Sequence, residues 1–239
     1  MPRSTPDRIE DRLIVALDLP DVAAARAMAG RLDGIVSFFK LGLWLIFAPG
    51  FDRLLEDLVA QGKKVFLDAK MFDIGETVKQ GVARAAERGA SFVTVHGDRD
   101  IIRAAIEGKR DSALRILAIT ALTSIDDAGA RDLGHMLPVT ELIRQRVAIC
   151  AELGVDGVIA SPHDIGGIRR VPGADKLLVV TPGVRLPGAA LDDHKRTGSP
   201  SQAIAAGADY LVVGRPIVHA PDPAEAASRI ITDMKQGAA

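Results

Sequence analysis

The sequence predicts an α/β fold, a (β/α)8 TIM barrel in a single domain spanning 1–239, and three observations lead there. Eight short apolar, β-branched runs alternate with Ala-rich helical segments along the whole chain. Most of these runs are continuously apolar, the pattern of parallel strands covered by helices. No Pro/Gly/Ser-rich linker divides the chain, and no G-x-G-x-x-G follows the first run, which disfavours a doubly wound open sheet.

The first strand, LIVALD (13–18), ends on an acid, and Asp21 stands where an N-cap opens a helix over 21–31. The second, IVSFFK (35–40), ends on Lys40 and leads to a helix over 50–61, stopped by Gly62. The third, KVFLDAK (64–70), precedes a helix over 75–88 that Gly89 ends; the fourth, SFVTVH (91–96), precedes one over 99–107. The fifth, LRILAIT (114–120), is followed by a helix over 139–153 with Gly154 at its end. The sixth, seventh and eighth strands, DGVIAS (156–161), KLLVVT (176–181) and DYLVVG (209–214), are followed by helices over 164–170, 200–206 and 222–235. Pro200 and Pro223 fall near helix starts, where a missing N–H costs nothing, and Gly207 marks a helix end. RGASFVTV, LGVDGVIA and AGADYLVV repeat one device, a helix stop, a small residue and a buried strand. The stretch 186–200 reads as a long, mobile loop at the barrel mouth on the phosphate side.

Composition narrows the function classes. At 239 residues, 48% hydrophobic and 26% charged, the chain carries enough apolar surface to fold on its own. With 30 Lys+Arg against 31 Asp+Glu there is no global basic field to gather nucleic acid or an anionic membrane. Aromatics are 4%, with one Trp and one Tyr, too few for base stacking. The longest apolar run, 41–48, is far short of the ~18–20 residues of a membrane span, and the polar opening MPRSTPDRIEDR lacks a secretory core. A single cysteine, Cys150, excludes an intrachain disulfide and a Cys-rich zinc site and reads as a helix packing residue. These features point to a cytoplasmic protein with no nucleic-acid or membrane partner.

A barrel of this kind places its active site at the C-terminal ends of the strands. Those ends are polar: Asp18, Lys40, Asp68 with Lys70, His96, Thr120 with Thr123 beyond it, Ser161, Thr181 with Arg185, and Gly214 with Arg215. The densest piece is DAKMFDIGET (68–77), where Asp68 and Lys70 stand two apart and so share one face of a strand. Asp73, Ile74 and Thr77 lie on the turn and helix beyond. An ion-pair network that only fixes the barrel is the alternative, but burying four charges for that purpose is costly. TPGVR (181–185) and VVGRPI (212–217) follow strands seven and eight, where barrels commonly bind phosphate through backbone N–H groups; Arg185 and Arg215 add planar donors. His96 reads as structural or supporting, and His135, His163 and His219 share no metal-site spacing and read as loop histidines.

DAKMFDIGET resembles the Asp-x-Lys-x-x-Asp-Ile signature of the orotidine 5'-phosphate decarboxylase family. VALD, FFKLG, TALTS, VVTPGVR, DDHKR and DYLVVGRPI are similar to that family's other blocks, in order, from about residue 12 to 226 and in the bacterial-type branch. The resemblance implies Lys70 as proton donor, with Lys40, Asp68 and Asp73 completing an alternating charged network. It implies that Asp18 and Lys40 hold ribose hydroxyls, that Thr123 contacts the pyrimidine, and that Arg185, Gly214 and Arg215 hold the 5'-phosphate. Asp73 and Thr77 would reach the nucleotide of a second subunit in a homodimer with shared sites, and Ile74 between them is a substrate-binding candidate. The family carries Gln where this chain has His194, a position implied to link phosphate and pyrimidine; an imidazole can still donate one hydrogen bond there.

The implied reaction is loss of CO2 from orotidine 5'-monophosphate to give uridine 5'-monophosphate in pyrimidine biosynthesis, with no cofactor and no metal. The nearest rival is a magnesium-dependent sugar-phosphate decarboxylase or aldolase of the same barrel superfamily. Such enzymes carry Glu where this chain has Lys40, and an ammonium suits magnesium poorly.

Overall fold

The structure is a computed structural model, and it describes residues 3–185 and 198–238. Its strands are β1 (Leu13–Ala16), β2 (Phe38–Gly42), β3 (Lys64–Met71), β4 (Phe92–His96), β5 (Arg115–Ile119), β6 (Gly157–Ile159), β7 (Leu178–Pro182) and β8 (Tyr210–Val213). They pair in sequence order, all parallel, and β8 closes on β1 through Leu13↔Leu211 and Val15↔Val213. The intervening helices are α1 (Val22–Arg31), α2 (Leu43–Ile46), α3 (Phe51–Ala60), α4 (Gly75–Glu87), α5 (Arg99–Lys109), α6 (Asp127–Asp132), α7 (Val139–Leu153), α8 (Ile165–Arg169), α9 (Pro200–Ala205), α10 (Arg215–Val218) and α11 (Pro223–Ala238). The predicted (β/α)8 barrel is therefore the observed one. The sequence reading missed α2, α6 and α10, which are too short to show a helical period.

Strand alternation divides the core in two. Leu13 and Val15 face the helices, where Cys150 of α7 also packs, while Ile14 and Ala16 face the barrel axis. The lower interior is aromatic. Phe38 meets Phe92 edge-on with centroids 4.9 Å apart, Phe92 meets Tyr210 at 5.2 Å and Phe66 meets Phe92 at 6.0 Å. Each such pair adds about 0.5–1.5 kcal/mol beyond burial.

The LGVDGVIA and AGADYLVV device has a structural purpose. Asp156, just before β6, accepts the N–H of Ile116 on β5 at 2.8 Å; Asp209, just before β8, accepts the N–H of Val179 on β7 at 2.7 Å. Each carboxylate ties the base of its strand to the preceding one. Lys109 pairs with Asp156, and Arg3 and Arg169 pair with Asp209. Two predicted caps are also present: Asp21 accepts the Ala24 N–H at 2.8 Å, and Gly154 ends α7 with φ +72°.

Candidate active site

At the upper ends of β1, β2 and β3 the inward positions switch from apolar to charged. Phe38, Lys40 and Gly42 follow one another on the inner face of β2, and the register sets Lys40 opposite Ala16 and Gly42 opposite Asp68. Lys40 Nζ lies 3.1 Å from Asp18 Oδ1 and 3.2 Å from Asp68 Oδ2; Lys70 Nζ lies 2.7 Å from the same Asp68 oxygen. The row thus runs Asp18, Lys40, Asp68, Lys70 with signs alternating. Gly42 leaves the room for it, since a Cβ there would sit 2.5 Å from Asp18 Oδ1 and 3.2 Å from Lys40 Nζ.

Burial works against both charges at the centre of the row. Burial alone would raise the Asp68 carboxyl, yet Lys40 and Lys70, helped by Thr94, hold it below the usual carboxylate value. Burial would likewise lower the Lys40 ammonium, but Asp68 and Asp18 outweigh it and hold the group above its ordinary value. The Lys70 side chain keeps 40% of its surface against 10% for Lys40, so Lys70 is the ammonium an incoming molecule can reach.

The strand that carries Asp68 and Lys70 is irregular. Its pairing with β4 runs Phe66↔Phe92, Leu67↔Val93 and then Met71↔Val95, so Asp68, Ala69 and Lys70 all stand opposite Thr94. Lys70 turns into the left-handed region with φ +47°, at a cost of about 1–2 kcal/mol for a residue with a side chain. The simple alternation expected from sequence is corrected here: the two side chains meet because the strand bulges. Thr94, buried, accepts the Lys70 backbone N–H at 2.9 Å and donates to Asp68 Oδ1 at 2.9 Å. Nothing in SFVTVH distinguished this threonine from an ordinary strand residue.

The row forms one wall of a cavity of about 1250 Å³, floored by Phe66 and Val212. Thr123 lines it beyond β5, Pro182, Gly183 and Arg185 beyond β7, and Gly214 and Arg215 beyond β8. Gly183 has φ +79°, a conformation that turns the chain sharply under the opening. The lining also includes Trp44 and Phe47 on the β2 side, which the sequence reading did not single out, and His219, taken there for a loop histidine. Aromatic residues after a strand are read as packing, so sequence gave no signal for the first two.

Other expected positions lie elsewhere. Asp73, Ile74 and Thr77 are exposed on the β3–α4 turn and the first turn of α4. Asp73 accepts the Ile74 N–H at 2.7 Å and makes no ion pair among the described residues, so it does not join the row within its own chain. Thr120 donates to the Ile159 carbonyl at 3.0 Å, Ser161 donates to Asp164 at 2.5 Å and Thr181 is buried; none of the three lines the cavity. His96 lies against the Phe72 ring at 4.9 Å, and burial together with Arg146 lowers its pKa. His194 and most of the loop expected at 186–200 fall outside the described residues.

The arrangement offers a reachable ammonium held by a carboxylate, and two guanidinium groups on the loops after β7 and β8. Comparison with known proteins agrees with this chemistry. Residues 11–230 match the model of the orotidine 5'-phosphate decarboxylase / HUMPS family. An orotidine 5'-phosphate decarboxylase of Methylobacterium radiotolerans is 50% identical over 224 residues, covering 94% of this chain and 96% of that one. Another, of Afipia carboxidovorans, is 46% identical over 230 residues, covering 96% and 97%. The crystal structure of orotidine 5'-phosphate decarboxylase from Lactobacillus acidophilus superposes with TM-score 0.82 at 34% identity, over 94% of this chain and 99% of that one. On the family match and these near full-length similarities, the chain belongs to the orotidine 5'-phosphate decarboxylase / HUMPS family.

Proposed function

We propose that this protein decarboxylates orotidine 5'-monophosphate to uridine 5'-monophosphate in pyrimidine biosynthesis, without cofactor or metal. The observation that carries the reading is the alternating row ending in Lys70, which lines one cavity together with Arg185 and Arg215. Loss of CO2 leaves an electron pair on C6 in the plane of the ring, where the π system cannot take it up. The Lys70 ammonium stabilises that charge as it develops and then gives C6 a proton, leaving a neutral amine that regains its proton from water. Asp68 fixes the ammonium and stands beside the departing carboxylate, disfavouring bound substrate relative to the transition state.

Lys40 and Asp18 hold the ribose hydroxyls, Thr123 the pyrimidine, and Arg185, Gly214 and Arg215 the phosphate, with His194 assigned to link phosphate and pyrimidine. Binding energy from the remote phosphate supports closure and desolvation at C6. The magnesium-dependent reading is less well supported, because the Lys40 ammonium already spans the two carboxylates that a divalent ion would need.

The working unit is a homodimer in which Asp73, Ile74 and Thr77 complete the partner's site. Supporting this, the large exposed apolar side chains among the described residues lie after strand C-termini: Leu43, Trp44 and Phe47 after β2, Phe72 and Ile74 after β3, and Leu133, Met136 and Leu137 before α7. The cytoplasm is the compartment that fits a lone thiol, buried with its pKa pushed up to about 12, and no described helix is long and apolar enough to cross a membrane. The deciding experiment follows loss of ultraviolet absorbance from orotidine 5'-monophosphate with and without EDTA. Equal rates are expected; a rate that collapses in EDTA and returns with magnesium would move the protein to the rival class.

A further inference from the structure

Thr94 occupies an unusual place. It is buried on the inner face of β4, and it alone stands opposite the three residues of the β3 bulge. The bulge removes the Lys70 N–H from the regular ladder, and Thr94 Oγ1 accepts it at 2.9 Å. The direction of the second bond is settled by chemistry. A backbone N–H only donates and an ionised carboxylate only accepts, so the hydroxyl proton points to Asp68 Oδ1, 2.9 Å away. Pinning Oδ1 fixes the rotation of the carboxylate, and the other oxygen, Oδ2, is then aimed at Lys70 Nζ and Lys40 Nζ together.

We propose that Thr94 is a positioning residue for the decarboxylation: its hydroxyl locks the strained backbone of Lys70 and the orientation of the Asp68 carboxylate into one unit. This rests on the roles proposed above for Lys70 and Asp68. One short side chain serves two ends because the bulge brings them to the same point. A hydroxyl on a β-branched frame has few alternative rotamers, so the link is stiff. Valine has the same shape and neither bond; it would take this acceptor from the Lys70 N–H and free the carboxylate to swing. Serine keeps both bonds on a looser side chain.

The test compares wild type, Thr94→Val and Thr94→Ser on orotidine 5'-monophosphate. Thr94→Val should lower kcat about 10- to 100-fold, as expected for a lost support that displaces a reacting group by a fraction of an ångström, with KM within about threefold because the phosphate grip is untouched. Thr94→Ser should keep kcat within about threefold of wild type. A second readout needs no turnover: the Asp68 carboxyl carbon, followed by NMR, should titrate at higher pH in Thr94→Val than in wild type and unchanged in Thr94→Ser, Lys40, Lys70 and, through Lys40, Asp18 being present in all three. Should Thr94→Val fail to fold, Thr94→Ala against Thr94→Ser makes the same comparison. A kcat for Thr94→Val within threefold of wild type, or equal loss in the valine and serine variants, overturns the proposal. If wild type leaves the substrate unchanged, the functional reading falls, and an unmoved Asp68 titration would then refute the Thr94 link separately.

Discussion

Replacing Lys70 by Ala and by Gly separates what its side chain does from what its backbone costs. The side chain is 40% exposed and its buried partner Asp68 keeps Lys40 at 3.2 Å and Thr94 at 2.9 Å, so the carboxylate retains a counter-ion and a hydrogen bond and either variant should fold. Activity should respond very differently. Removing a proton donor costs about 10²–10⁴ in rate and removing a fixed charge at the reacting centre a further 10²–10³ or so, giving about 10⁴–10⁷ together, or about 5–10 kcal/mol of barrier. The φ of +47° adds a second expectation. Glycine relieves about 1–2 kcal/mol of left-handed strain and gives back about 0.4–1 kcal/mol through a more flexible unfolded chain. Lys70→Gly should therefore melt about 1–3 °C above Lys70→Ala in a domain of this size. The assays are loss of substrate absorbance and thermal melting by circular dichroism. Lys70→Ala with native dichroism and activity within tenfold of wild type would refute the role, and a Lys70→Gly melting below Lys70→Ala would refute the strain.

Arg215→Ala should lower kcat/KM by about 2–5 kcal/mol, the range for losing one partner of a desolvated charge pair; an unchanged kcat/KM would exclude it as a phosphate anchor. Refolding an inactive Lys70→Ala chain together with an inactive Asp73→Asn chain should restore about half the sites of each heterodimer, because one site then carries both changes and the other neither. No recovery, with heterodimers present by mass spectrometry, would mean that Asp73 serves its own barrel. Stability should also follow the pair at the centre of the row. Asp68 sits below its ordinary 3.8, so its contribution is present above that pH and is lost as pH falls through the folded value; Lys40 sits above its ordinary 10.5, so its contribution is present below that pH and is lost as pH rises through the folded value. Melting temperatures across pH check both limbs, and the acid limb should shrink in Asp68→Asn.

Sequence revealed most where one physical constraint acts along a whole element. Strands buried on both faces read as unbroken apolar runs, and the first polar residue after each run marked the mouth, which is why Asp18, Lys40, Asp68 and Lys70 stood out together. Features set by contacts between elements were silent. The bulge in β3 depends on a threonine 24 residues away, and α2 and α10 are single turns with no period to detect. Asp73 was legible as an acid on a turn, but its distance from the row of its own chain is a property of the fold.

The aromatic floor shapes the electric field as well as the barrel. Phe38, Phe66, Phe92 and Tyr210 form a buried, low-dielectric layer beneath the charged residues, and field lines spread poorly through such a medium. They leave by the water-filled opening instead. Among the described residues that line the opening, the carboxylates Asp18 and Asp68 stand with the cations Lys40, Lys70, Arg185 and Arg215, so this lining carries more positive than negative groups in a chain with overall charge -1, and that excess favours the approach of a phosphate and carboxylate. The effect falls on the frequency of productive encounters, and it fades as added salt shortens the screening length to about 10 Å at 0.1 M. The near-neutral balance of the whole molecule thus says little about the charge its substrate meets.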